Sequence, residues 1–312
     1  MRFISFVHDG HPRFGCLIDD QQVLELHTPS ILDFLTDVDA NLLEAKRLVD
    51  ECNPSRVLRL RDVTLQAPIP RPPSMRDGYA FRQHVATARR NRGLEMIPEF
   101  DQFPVFYFTN HQAVTGPGEV TVQKRHLDKL DFELEVAIVI GREGRNIPLS
   151  QADEYILGYT IMNDWSARAL QMEEMKLNLG PAKGKDFATS IGPFLITRDE
   201  LKKMGRLKAT PKGEVLEAGM KAFINGKQYS EGNVNQMDWT FAQIIERASY
   251  GVTLYPGDVI GSGTVGTGCL LELNGSKITD NLWLKAGDQV VLEVDGLGRL
   301  ENEVVLAEEG QR

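Results

Sequence analysis

The chain has 312 residues and a mass of 34.9 kDa, enough for one large domain or two smaller ones. Hydrophobic residues at 42% and charged residues at 25% match globular composition and exclude disordered, collagen-like and low-complexity chains. With 35 basic against 44 acidic residues the net charge is -9, a poor basis for gripping nucleic-acid phosphates.

The N-terminus, Met1-Arg2-Phe3-Ile4-Ser5-Phe6-Val7-His8-Asp9, turns polar too soon for a signal peptide. The longest clean apolar run, Val136 to Ile140, falls far short of the roughly 20 residues a membrane helix needs. A soluble, cytoplasmic protein is therefore expected, with neither nucleic acid nor membrane as partner. The three cysteines, Cys16, Cys52 and Cys269, are few and far apart, which argues against a disulfide framework and a thiolate metal site. Any metal is expected to take oxygen ligands.

Phe3 to Val7, Cys16 to Ile18 and Val23 to Leu26 read as short strands, with Asp19-Asp20 as a turn. Residues 31 to 50 show helical spacing at Ile31, Phe34, Leu35, Val38, Leu42, Ala45 and Val49. Then Ala67-Pro68-Ile69-Pro70-Arg71-Pro72-Pro73 can be neither helix nor central strand. The spacing predicts a small N-terminal α/β domain over 1–66 and a larger domain over 67–312. Beyond the prolines, helices are expected over Tyr79 to Arg92, Gln151 to Tyr155, Trp165 to Met175 and Phe241 to Ala248. Arg89, Arg90 and Arg92 lie near the C-terminal end of the first of these, where positive charge suits the dipole. Strands are expected at Val105 to Phe108, Val120 to Val122, Leu134 to Ile140, Gly158 to Met162, Phe194 to Ile196, Lys221 to Ile224, Leu270 to Leu273 and Gln289 to Val294. Strands outnumber helices and do not alternate with them, so the fold class is α+β, mostly β.

Several segments could carry chemistry. In Asp131-Phe132-Glu133-Leu134-Glu135 the strand period puts Asp131, Glu133 and Glu135 on one face. Carboxylates so arranged repel unless water or a cation neutralises them, and a hard divalent cation suits them. Asp164 stands between a strand and the helix expected from Trp165, as an N-cap or as a metal ligand at the mouth of a sheet. Arg168 and Gln171, three apart on that helix, could hold a carboxylate or carbonyl oxygen. Gly180-Pro181-Ala182-Lys183-Gly184-Lys185-Asp186 is a lysine-bearing loop without phosphate-loop spacing. Gly261-Ser262-Gly263-Thr264-Val265-Gly266 matches a dinucleotide fingerprint literally. A strand and a turn are expected over residues 269 to 275, and a Rossmann unit would need a long helix there. His84 sits among polar residues and could serve as a general base if a carboxylate such as Glu272 oriented it.

In order along the chain, Asp131-Phe132-Glu133-Leu134-Glu135, Met162-Asn163-Asp164-Trp165-Ser166-Ala167-Arg168, Gly184-Lys185 and Gly261-Ser262-Gly263-Thr264 resemble the fumarylacetoacetate hydrolase family over roughly residues 70 to 295. The resemblance implies a mixed β-roll, a homodimer and a small N-terminal domain. It implies metal ligation by Glu133, Glu135 and Asp164, with Asp77 as a fourth acid, and Mg2+, Ca2+ or Mn2+ as the ion. Arg82-Gln83-His84, whose histidine stands seven residues after Asp77, matches the branch that hydrolyses β-diketones. That match implies His84 as the base, Glu272 as its orienting carboxylate and Lys185 as a catalytic cation. Tyr79, Arg168, Gln171 and Thr264 match substrate-binding positions. The implied reaction is hydrolysis of a carbon–carbon bond in a 1,3-diketo acid. The alternative is decarboxylation, tautomerisation or dehydration of a 2-oxo acid.

Overall fold

The computed structural model describes residues 1–308. Its central sheet is built from ten successive strands: β1 (Arg2–His8), β2 (His11–Leu17), β3 (Gln22–Glu25), β4 (Val57–Arg59), β5 (Met75–Gly78), β6 (Phe106–Phe108), β7 (Leu134–Ile140), β8 (Ile156–Asp164), β9 (Thr189–Thr197) and β10 (Val259–Gly261). Across the sheet they run β4-β3-β2-β1-β9-β8-β7-β10-β5-β6, and two short strands pair off this path. The pairs are antiparallel except β10 with β5. A second sheet of five strands, from Gly118–Val122, Gly219–Ile224, Lys227–Asn233, Gln289–Val294 and Gly298–Leu306, packs beside it. The helices that matter below are α1 (Val38–Glu51), α2 (Arg82–Arg90), α3 (Arg168–Glu174), α4 (Phe241–Ser249) and α5 (Leu270–Gly275). The chain is mostly β, as its sequence pattern implies.

β7, Leu-Glu-Val-Ala-Ile-Val-Ile, is buried throughout because it has hydrophobic layers on both faces. Leu134, Val136, Ile138 and Ile140 pack into one core, with Trp165, Ile161 and Ile260. Ala137 and Val139 pack into the other, with Met162, Met75 and the N-terminal Phe3, Phe14 and Phe34. Glu135 shares the second face by strand parity, at the end of the strand.

The N-terminal segment adds its strands to the same sheet, since Arg2 and Phe3 of β1 pair with Ile196 and Leu195 of β9. The proline stretch runs as a series of bends with neither helix nor strand, and Ala67 and Ile69 are buried in the second core. The strands β1 to β4 and the strands that carry the candidate acids therefore belong to one continuous sheet.

Three local expectations are corrected. Residues 270–273 form the start of α5 and are not a strand. A four-residue apolar run fits either state, and a distant group decides it: Asp131 accepts from the Leu270 and Leu271 N–H groups at 2.7 and 3.0 Å. The helix expected from Trp165 begins at Arg168, and Asp164 is the last residue of β8, with no capping role. The helix expected from Tyr79 begins at Arg82, because the Ala80 N–H bonds to the Ser262 carbonyl and keeps the chain extended.

Candidate active site

Adjacent strands bring the acids together. Asp77 lies on β5, Glu135 on β7 with Glu133 just before it, and Asp164 ends β8. Oxygens of Asp77, Glu133 and Glu135 lie within 4.8 Å of one another, all buried. Two glycines make this approach possible. A Cβ at Gly261 would stand 2.4 Å from Asp77 Oδ1, and one at Gly263, where φ is +78°, would stand 2.6 Å from the Gly78 carbonyl. The Gly-rich motif that resembled a nucleotide fingerprint therefore lets a loop pass close against β5.

The electrostatics follow from burial and neighbours. Burial and the charge of Asp164 push Asp77 up to about 7, and burial and Asp77 hold Glu135 well above the usual carboxylate range. Burial would raise Glu133 too, but Lys185 and Arg168 outweigh it and hold its carboxyl low. Burial raises Asp164, with Lys185 opposing. The Lys185 ammonium spans Glu133 and Asp164, 2.7 Å from Asp164 Oδ2. Burial disfavours its charge, but those two carboxylates more than restore it, so Lys185 stays protonated.

Two oxygens in this cluster, Glu135 Oε2 and Asp164 Oδ1, are buried without a hydrogen-bond partner. Orphaned buried carboxylate oxygens are costly, and a hard divalent cation bound through oxygen would satisfy them. The donor set Glu133, Glu135 and Asp164, with Asp77, fits such an ion.

At the other end of the site, His84 of α2 meets Glu272 of α5, with Nδ1 2.7 Å from Oε2 and both side chains buried. The Tyr79 ring stands edge-on to the imidazole at 6.0 Å. Between the two ends lies a cavity of about 860 Å³, lined by Asp77, Tyr79, His84, Glu133, Arg168, Gln171, Lys185, Thr264 and Glu272. Glu135 and Asp164 do not line it. Glu135 accepts from the Thr264 hydroxyl at 3.2 Å, and Asp164 is reached through Lys185. The structure thus gathers all the site residues expected from the sequence.

Two details differ from the strand-period reading. Asp131 does not share the face of Glu133 and Glu135, because the ladder breaks between the short strand Leu130–Asp131 and β7. Its carboxylate turns to α5 and to Arg168 Nε, 2.8 Å away. Arg168 is already occupied, since its other nitrogens bond Glu133 Oε1 at 2.8 Å and Gln171 Oε1 at 3.0 Å. Because the Gln171 oxygen faces Arg168, its amide N–H₂ is left to donate toward the cavity.

Sequence reasoning missed Tyr107 and Asn163. The Tyr107 hydroxyl donates to Asp164 Oδ2, and Asn163 Oδ1 accepts from the Glu133 N–H at 2.9 Å. The available signal for Tyr107 was the phenol between Phe106 and Phe108 in an expected strand; register then places it opposite Asp77.

Residues 74–305 match the family model described as fumarylacetoacetate (FAA) hydrolase C-terminal, and the chain belongs to that family of enzymes. It is 28% identical over 317 residues to the oxaloacetate tautomerase YisK of Bacillus subtilis, covering 93% of this chain and 95% of that protein. The fumarylacetoacetate hydrolase structure from Exiguobacterium antarcticum superposes with a TM-score of 0.71 at 25% identity, covering 98% of this chain and all of that one. The maleylpyruvate hydrolase of a Sphingobium species, solved with manganese(II) and pyruvate, shares the fold at 19% identity and a TM-score of 0.71, covering 99% of this chain. No helix among the described residues is long and apolar enough to cross a membrane.

Proposed function

We propose that the chain hydrolyses a carbon–carbon bond in a 1,3-diketo acid of the acylpyruvate or fumarylacetoacetate type. The observation that carries this reading is the His84–Glu272 pair facing the carboxylate cluster and Lys185 across one cavity. Glu272 accepts the Nδ1 proton, which leaves Nε2 as the basic nitrogen of a neutral imidazole. His84 then takes a proton from water as the oxygen adds to a ketone carbon. The bond between that carbon and its neighbour breaks, and its electron pair stays on the leaving fragment as an enolate. The imidazolium returns the proton to that fragment's carbon. Lys185, charged and buried, stabilises the developing oxyanion. Tyr79, Thr264 and the Gln171 amide orient the diketone. A divalent cation on Glu133, Glu135 and Asp164, with Asp77, would supply Lewis-acid stabilisation of the enolate; Mg2+, Ca2+ and Mn2+ suit such oxygens.

The test is a panel of acylpyruvates, followed by loss of enol absorbance and appearance of two acid products, with and without chelator. Two acids formed only in the presence of divalent metal support hydrolysis; a panel with no cleavage refutes it. The name of the Bacillus relative favours a second reading, keto–enol tautomerisation of a 2-oxo acid such as oxaloacetate. There His84 shuttles a proton between carbon and oxygen without adding water. Enol absorbance would then decay with no new acid formed.

A further inference from the structure

One thiol beside the site has no part in this chemistry. Cys269 stands three residues before Glu272, and donor atoms of His84, Cys269 and Glu272 lie within 4.8 Å of one another. The thiol is fully buried and is not among the groups that line the cavity, whereas His84 and Glu272 do line it. Cys269 therefore closes the back of a pocket whose front opens to the substrate space. Nitrogen, sulfur and carboxylate oxygen form a borderline-soft donor set, unlike the all-oxygen cluster across the cavity. Zinc bonds of about 2.0–2.3 Å require donors roughly 3.3–3.7 Å apart, within reach of side chains that already converge so closely.

The geometry points to a second, inhibitory metal site, in which His84, Cys269 and Glu272 capture a thiophilic divalent cation, Zn2+ or its probe Cd2+, and withdraw His84 from acid–base chemistry. Charge balances without further ligands: one thiolate and one carboxylate neutralise the cation, and the imidazole binds neutral. The thiol gives up its proton on binding. A water from the cavity completes a tetrahedron. Binding stands independently of the proposed hydrolysis; the loss of activity rests on it.

The test uses the full chain with Cys52→Ser, which removes the exposed thiol, in excess Mg2+ so that the oxygen cluster is saturated. Cd2+ is titrated and the ultraviolet thiolate-to-cadmium charge-transfer band is recorded beside diketo-acid turnover. The expected result is a band saturating at one equivalent, a parallel loss of turnover, and disappearance of the band on adding Cys269→Ala. An unchanged band in that double variant, or no band in Cys52→Ser alone, overturns the site. Should Cys269→Ala fail to fold, His84→Ala in the Cys52→Ser background keeps the thiol. It should weaken Cd2+ at least about tenfold in competition with a chelating dye, and undiminished affinity overturns the proposal. A protein that turns over no diketo acid refutes the hydrolase reading, while the band still decides the metal site.

Discussion

Lys185→Met removes the one ammonium that bridges Glu133 and Asp164 inside the protein. Breaking a buried ion pair from one side typically costs about 3–5 kcal/mol, because a charge is left without compensation. The site itself sets a ceiling on that loss. Without Lys185, Glu133 still holds Arg168, so Asp164 is the orphaned carboxylate, and an aspartate with an ordinary value of 3.8 takes up a proton at pH 7 across about 3.2 pH units. At about 1.36 kcal/mol per unit this is about 4.4 kcal/mol for one proton. In the variant burial holds the folded-state carboxyl above its unfolded value, so stability is lost as pH rises past about 3.8. In the wild type Lys185 opposes that rise, so the loss is smaller. The expected deficit is thus about 3–4 kcal/mol at pH 7 and under about 2 kcal/mol at pH 5. Urea unfolding of both proteins in chelator at the two pH values measures it. A deficit of the same size at both, or none at pH 7, would refute the claim that Lys185 is held as a buried counter-charge.

His84→Ala should lower diketo-acid turnover by about 10² to 10⁴ while calorimetric Mn2+ binding stays intact. Tyr107→Phe removes the hydroxyl that donates to Asp164 and should change Mn2+ affinity by about tenfold with Lys185 still in place; unchanged titration isotherms would make the hydroxyl a packing group only. Away from the site, Arg198 and Lys202 grip Glu214 and, against the effect of burial, hold its carboxyl below the ordinary range. Its contribution is present above the ordinary value of 4.5 and is lost as pH falls through the depressed one. Glu214→Gln should therefore cost about 1 kcal/mol at pH 7 and nothing in strong acid, as read from thermal unfolding across that range.

What the sequence made legible follows from which signals are local. β7 is legible to its bounds because alternation over Asp131 to Val136 leads straight into the apolar run Val136 to Ile140, and the motifs of β7, β8 and the Gly-rich loop keep their order. The helical state of α5 is not legible locally, because it depends on a carboxylate about 140 positions away in the chain, which no window contains. Asp131 was placed with Glu133 and Glu135 because strand parity assumes an unbroken ladder, and the ladder breaks there. Asn163 has no pattern of its own and Tyr107 only the phenol between two phenylalanines, since a single polar atom on a strand acquires meaning only from its cross-strand neighbours. The glycines at 261 and 263 were visible as a motif, but their purpose, steric room beside Asp77, belongs to a contact between segments.

Asp131 touches neither the substrate space nor the paired acids, yet it anchors both ends of the cavity. Its two oxygens take the first N–H groups of α5, which carries Glu272, and the guanidinium of Arg168, which in turn holds Glu133. A helix of six residues cannot sustain itself, so the aim of the imidazole depends on this tether. The two ends of the cavity are thereby mechanically coupled. A change in charge or ligation at the acidic end can reach the base through two hydrogen-bonded steps, and drift in the tether would show as lost rate before any loss of fold.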